Sequence, residues 1–237
     1  MKIFAISDLH LSFGTPEKSM NKFGWEDHYV KIKEDWLRKV DKDDLILLPG
    51  DLSWALKLDD ALADLDFLGN LPGKKFLLKG NHDYWWTSLK KLNDYFLSKN
   101  YEIYPVQYNS YKINNIIISG LRGWEYPLKE QENYEENLKK YNKELARFDL
   151  SLNSIKNKIA LGDKVIFMMH YPPFTSETEN TPLTEKIISQ KEIIKTVVFG
   201  HLHSVKNPKF YNRKIKGIEF KLTSCDATDF KLTELEI

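Results

Sequence analysis

At 237 residues, with 42% apolar and 29% charged side chains, the chain has an ordinary globular composition and enough apolar material for a sizeable core. Thirty-five basic and 34 acidic side chains leave a net charge of +1, which argues against nucleic acid or an acidic membrane as the main partner. The lone cysteine, Cys225, excludes an intrachain disulfide and fits a cytoplasmic protein, residues 1–8 are too short an apolar run for a signal peptide, and no stretch approaches the ~20 consecutive apolar residues of a membrane span.

In chain order, residues 2–7 read as a buried strand ending at Asp8, followed by a polar loop from Ser12 to Gly24. Trp25, Tyr29, Ile32, Trp36 and Val40 share one stripe, which predicts a helix over 25–40. Residues 44–48 form a second strand stopped by Pro49-Gly50. Leu58, Leu62, Leu65 and Leu68 predict a helix over 58–68 that stops at Gly69-Asn70. Residues 74–78 form a third strand, ahead of a helix over 85–97. This alternation predicts parallel βαβ units, whose sites lie beyond the carboxyl ends of the strands. After residue 100 the pattern changes. Two β-rich runs, 101–108 and 111–119, suggest a hairpin turning near Asn109-Ser110. Leu138, Tyr141, Leu145, Phe148, Leu152, Ile155 and Ile159 step by three and four, which predicts one long helix over 133–159. Residues 164–169 and 196–199 are further strands, and 172–183 is a proline-containing loop placed to border a site. Final strands are expected over 215–223 and 229–236. No repeat, low-complexity tract or composition shift marks a linker, so residues 1–237 read as one mixed α/β domain.

Five of the six histidines fall in short blocks, nearly all after an apolar run: Asp8-Leu9-His10, Gly50-Asp51, Gly80-Asn81-His82-Asp83, His170, and Gly200-His201-Leu202-His203. Histidine nitrogens and aspartate oxygens suit Zn, Mn, Fe or Ni, and two such ions side by side make a phosphoester-cleaving centre. Asp8 and His10 would face opposite sides of an extended strand, so they can share an ion only if the chain turns there. Each block has a plainer reading too: an Asp or Gly-Asp turn, or a packed histidine beside Tyr171-Pro172-Pro173.

These five blocks, in this order, resemble the calcineurin-like metallophosphoesterase superfamily from Lys2 to about Ser204. The resemblance implies a four-layer αββα sandwich of two mixed β-sheets flanked by helices. It implies two divalent or trivalent transition metal ions. Asp8, His10 and His203 would hold the first, Asn81, His170 and His201 the second, and Asp51 would bridge them. By the same resemblance His82 is no ligand; it protonates the leaving oxygen or stabilises charge, and Asp83 is expected to hold the His82 ring. With two aspartates and a bridging hydroxide, two divalent ions would keep about one positive charge, enough to attract an anionic ester.

Protein phosphatases of this superfamily carry arginines beside the Gly-Asp and Gly-Asn-His blocks, and this chain has none there. That puts protein phosphatase activity in doubt and slightly favours phosphodiesters, which carry less charge. Arg122, between Gly120 and Gly123, is the candidate phosphate contact. His28 is expected on a helix surface, with pocket lining as the alternative. The clusters Tyr84-Trp85-Trp86, Trp124 with Tyr126, and Tyr171 to Phe174 could stack on a substrate or pack in the core. Cys225 reads as a structural thiol. The leading function is hydrolysis of a small phosphoester or nucleotide, with no protein partner implied. A phosphomonoesterase, a nuclease and a non-catalytic scaffold are the competitors; a scaffold would be expected to lack some of these ligands.

Overall fold

The computed structural model describes residues 1–175 and 178–236. The first half lays down β1 (Ile3–Ala5), α1 (His28–Lys39), β2 (Leu45–Leu48), α2 (Leu58–Gly69), β3 (Lys74–Leu78), α3 (Leu89–Ser98) and β4 (Ile103–Val106). The second half adds β5 (Ser110–Ile113), β6 (Ile116–Leu121), α4 (Tyr134–Lys156), β7 (Lys164–Met169), α5 (Pro182–Ile188), β8 (Ile194–Phe199), β9 (Arg213–Ile215), β10 (Ile218–Leu222) and β11 (Thr233–Glu234).

One sheet has the order β11-β1-β2-β3-β4 and the other β5-β6-β7-β8-β10-β9. Both are mixed. Their central strands run parallel, while β11, β5 and β9 pair antiparallel at or beside the edges. The central strands are apolar on both faces because both faces are covered. Ala5, Leu45, Leu47 and Phe76 of one sheet meet Ile118, Ile166, Met168 and Val198 of the other. On the outer face of the first sheet, Phe4, Ile46 and Leu77 pack with Trp36, Leu65 and Phe96 of the helices. On the outer face of the second, Phe167, Val197 and Phe199 pack with Tyr141, Phe148 and Ile187. The result is the expected helix–sheet–sheet–helix order.

Four expectations need correction. Residues 101–108 and 111–119 do not pair with each other. β4 joins β3 in the first sheet, and the hairpin lies inside the second run, β5 to β6. Its turn is Asn114-Asn115, with Asn114 at φ 54°, a left-handed conformation that asparagine tolerates. Near Asn109 the chain instead crosses between sheets, with the Asn109 side chain accepting from the Gln107 amide. Likewise the run 215–223 is the second half of a hairpin, β9 to β10, closed by Lys216-Gly217 at positive φ. The helix after β3 starts at Leu89, where Ser88 caps it by accepting from the Lys91 amide. Within the expected loop 172–183, α5 begins at Pro182, and Ser176 and Glu177 lie outside the described residues.

Candidate metal centre

All five blocks follow the carboxyl ends of parallel strands: β1, β2, β3, β7 and β8. Four of their non-glycine residues sit in the left-handed region: Asp8 at φ 58°, His10 at 44°, Asp51 at 54° and His201 at 71°. Such backbone costs about 1–3 kcal/mol per residue and persists where the surroundings impose it. Here it supplies the turn that Asp8 and His10 require. The blocks are also stitched together. The amides of Asp8 and His10 donate to the carbonyls of Gly50 and Asp51, and that of Gly200 to His170. A Cβ on Gly80 would lie 2.1 Å from Asp51 Oδ1, so only glycine lets these two loops close on each other.

The imidazole and carboxylate atoms converge. His10 Nε2 faces His203 Nε2 at 3.2 Å, and His203 Nε2 lies 3.8 Å from Asp8 Oδ1. His170 Nε2 and His201 Nδ1 lie 2.6 and 2.9 Å from the Asn81 amide oxygen. Asp51 Oδ2 is 3.8 Å from His10 Nε2 and 3.5 Å from His170 Nε2, and it is buried without a hydrogen-bond partner. Ligand atoms bonded at about 2.1 Å to one ion sit roughly 3.0–3.4 Å apart, so most of these spacings are near those of shared coordination. Asp8, His10 and His203 can hold one ion, and Asp8, Asp51 and His170 form a second such group. All seven residues expected as ligands are thus gathered at one place.

The electrostatics fit a cation. Burial pushes the Asp51 carboxyl up to about 9, with the charges of Asp83 and Asp8 adding to it, and pushes Asp8 up to about 6. It drives His10 and His170 well below the usual imidazole range and His201 down to about 4. For His203 burial also acts downward, but the Asp226 hydrogen bond and the Asp8 charge outweigh it and raise the value. The chain alone therefore buries carboxylates among neutral imidazoles with little positive charge to offset them. A multivalent ion inverts that balance.

Supporting groups orient this cluster. His170 Nδ1 meets the Pro49 carbonyl at 3.0 Å; donating there leaves Nε2 as a lone pair facing the centre. Asp8 accepts from Ser7 Oγ at 2.6 Å and from the His201 amide at 3.0 Å. The Cys225 thiol, structural as expected, donates to the Asp8 carbonyl. Asp226, which the sequence reading did not single out, accepts from His203 Nδ1 at 3.1 Å and from the Ser204 amide at 2.7 Å. Its one trace in the sequence is its place just past β10, beside the strand that delivers His201.

Asp83 differs from expectation. Oδ2 accepts from the amides of Gly80 and Asp51, and Oδ1 from Leu52, Ser53 and Trp85 Nε1. With five donors occupying both oxygens, it ties the Gly50-Asp51 loop to the Gly80-Asn81 loop and, among the described residues, makes no bond to the His82 ring. The half-buried His82 ring instead packs 4.3 Å from Trp54 and 5.6 Å from His10.

His28 is not on the helix surface; it lines a small cavity with Leu11, Phe13 and Tyr29. It is buried, and its Nε2 reaches the carbonyl of Leu9 at 2.7 Å, bracing the peptide between Asp8 and His10. Among the aromatic clusters, Trp85, Trp86 and Phe174 are core. Tyr171 packs against His201 at 4.1 Å, and Trp124 against Tyr171 at 5.2 Å. The aromatic wall beside His10 is Trp54, stacked at 4.7 Å, with Trp25 further out. Arg122 is fixed through its carbonyl, which accepts from the amides of His170 and Tyr171. Its side chain lines a cavity shared with Asn81.

A model of the family described as calcineurin-like phosphoesterase matches residues 1–205. The Gene 66 protein of Mycobacterium phage D29 is 34% identical over 84 residues, which is 34% of this chain and 40% of that protein, so the match spans under half of either. Among solved structures, AQ665 from Aquifex aeolicus, a protein of unknown function, matches with a TM-score of 0.51 at 17% identity over 98% of this chain and 95% of its own. Phosphopantetheinyl hydrolase (PptH) from Mycobacterium tuberculosis matches with a TM-score of 0.57 at 13% identity over 99% and 95%. At these identities the likeness to solved structures is one of fold.

Proposed function

The chain belongs to the calcineurin-like phosphoesterase family, and we propose that it hydrolyses a small phosphorylated molecule at two transition metal ions, Mn, Fe, Zn or Ni, held by the cluster just described. Asp8, His10 and His203 would hold the first ion, Asn81, His170 and His201 the second, and Asp51, lying between the two groups, would serve both. The observation that carries this reading is Asp51 Oδ2: buried, unpartnered, and within 4 Å of a ring nitrogen from each group. Bound there, a metal pair supplies Lewis acidity and brings the pKa of water towards neutrality.

The chain does the rest. The left-handed loops hold the donors in place. Asp226 and the Pro49 carbonyl fix which nitrogens of His203 and His170 point inward. His82, half-buried beside Trp54, would give a proton from a ring nitrogen to the leaving oxygen. Burial, with the nearby His203 charge, holds its pKa below the usual value. Arg122 is proposed to contact the phosphate from the Asn81 side. Its presence, with lysines nearby, removes the reason for favouring diesters, since the cations missing from the blocks are supplied from elsewhere. We read residues 1–237 as one domain. No helix among the described residues is long and apolar enough to cross a membrane, and the single, buried thiol suits the cytoplasm, where we place the protein.

Protein stripped with a chelator and reloaded with Mn2+ is expected to hydrolyse bis-p-nitrophenyl phosphate or p-nitrophenyl phosphate, and stripped protein neither. The preferred ester assigns diester or monoester chemistry. Hydrolysis of neither, with two metal ions bound per chain, would overturn the reading in favour of a scaffold. Asp226→Asn is expected to weaken metal binding at the first site by about 10–100-fold, the usual effect of losing a ligand's outer hydrogen bond. Calorimetric Mn2+ titration reads this directly, and an unchanged isotherm would remove Asp226 from the site.

A further inference from the structure

Beside the metal centre lies a cavity of about 520 Å³ whose lining includes Asn81, Arg122, Trp124, Lys140, Lys143 and Tyr171. It opens on the cluster itself, because the Asn81 side chain that lines it also meets His170 and His201. The chain as a whole is nearly neutral, at +1, yet this cavity gathers Arg122, Lys140, Lys143 and Arg147 against one carboxylate, Glu144.

That carboxylate is already occupied. Glu144 is buried, pairs with Arg147 and accepts from the Gly123 amide at 2.9 Å. Among the described residues neither Arg122 nor Lys143 has an acidic partner within ion-pair distance. Lys140 pairs with Glu136, but both side chains are exposed, and such pairs are worth little. The cations are also organised. Lys140, Lys143 and Arg147 follow at steps of three and four on α4, so one helix face presents them together. Lys140 Nζ and Arg122 Cζ lie 4.7 and 5.2 Å from the ring centre of Trp124. A smaller adjoining cavity, about 160 Å³, shares Arg122 and Arg147 and adds Lys79.

Like charges collected in a concave, partly desolvated site repel one another unless an anion joins them. The scissile phosphate, facing the metal pair with Arg122 beside Asn81, leaves Lys140 and Lys143 on α4 without an anion. Resting on the phosphoesterase reading above, we propose that this cavity binds a second phosphate group of the substrate. The substrate class is then a small molecule carrying at least two phosphates, one hydrolysed at the metal centre beside Arg122 and one held by Lys140 and Lys143.

The test is competition. Fructose 1,6-bisphosphate and fructose 6-phosphate are titrated as inhibitors of bis-p-nitrophenyl phosphate hydrolysis by the Mn2+-loaded protein. The bisphosphate is expected to bind at least about tenfold more tightly, as one added charge-assisted phosphate contact allows. In the double variant Lys140→Ala/Lys143→Ala that ratio should fall towards one. Lys195→Ala, at the opposite end of β8, should keep it. Equal binding of the two sugars by the wild type, or a ratio that survives in the double variant, overturns the proposal. Calorimetric titration of both sugars onto the Mn2+-loaded protein reads the same ratio without turnover. A protein that hydrolyses no ester but keeps the calorimetric ratio would fail as a phosphoesterase while keeping its second-phosphate site.

Discussion

Asp51→Asn is expected to abolish hydrolysis and yet make the metal-free protein more stable. Both effects come from one atom. Asp51 Oδ1 accepts from the His82 amide at 2.8 Å, and the amide oxygen of asparagine can keep that bond. Asp51 Oδ2 is buried with no partner, facing His10 and His170 nitrogens. In the variant an NH2 stands there and can donate to those neutral imidazoles. Asparagine also accepts the left-handed backbone at this position readily. Removing a buried, unpaired carboxylate should raise metal-free stability by about 1–3 kcal/mol.

The pH dependence has a definite sign. Burial raises the folded Asp51 pKa to about 9, above its unfolded value near 3.8. Its contribution is therefore fully present below pH ~3.8 and lost as pH rises through about 9. The stability gap between variant and wild type, both metal-free, should widen over that range. Denaturant midpoints at pH 5 and pH 8 measure it. With Mn2+ present the order reverses: only the wild type gains strongly, because binding to the folded state adds to stability. Loss of the bridging charge should remove several kcal/mol of transition-state stabilisation, roughly 10³-fold or more in kcat. A variant within tenfold of wild-type kcat, or less stable than metal-free wild type at pH 8, would sink the account of Asp51 as the bridge.

What could be read from residues alone depended on distance along the chain. The metal blocks were legible because each is local: an apolar run, a turn, then a donor. The resemblance then grouped them, and the fold brings all seven together. Asp226 was not legible because its partner His203 lies 23 residues away on a different strand end. Cys225 and Asp8 touch across 217 positions. His28 was expected on a helix surface, but as the first residue of α1 its ring points back to Leu9, 19 residues earlier. The hairpin was misplaced because two adjacent β-rich runs look alike whether they pair or part. The turn chemistry at Asn114-Asn115 was the discriminating signal. The cations of α4 carry no signature in the sequence; only their approach to Arg122 sets them apart.

Asp83 and His82 are neighbours for which opposite outcomes are expected. Asp83→Ala strips the acceptor from four backbone amides and the Trp85 indole, all in a buried setting. Breaking a buried, charged network of this kind typically costs about 3–5 kcal/mol. Because those amides belong to the Gly50-Asp51 and Gly80-Asn81 loops, the bridge and the Asn81 ligand should lose their spacing, and activity should fall even at saturating Mn2+. His82→Ala removes a half-buried ring that makes no hydrogen bond among the described residues. Stability should change by under ~1 kcal/mol, typical of sites away from buried networks. Its kcat should nonetheless fall by about 10²–10⁴-fold, the range for a positioned proton donor. Chemical denaturation and kcat, measured together on both variants, separate the two roles. If Asp83 instead served to orient the His82 ring, Asp83→Ala would match His82→Ala: a folded protein of near wild-type stability with a low kcat. That pattern would refute the assignment of Asp83 as the buried tie between the two metal-binding loops.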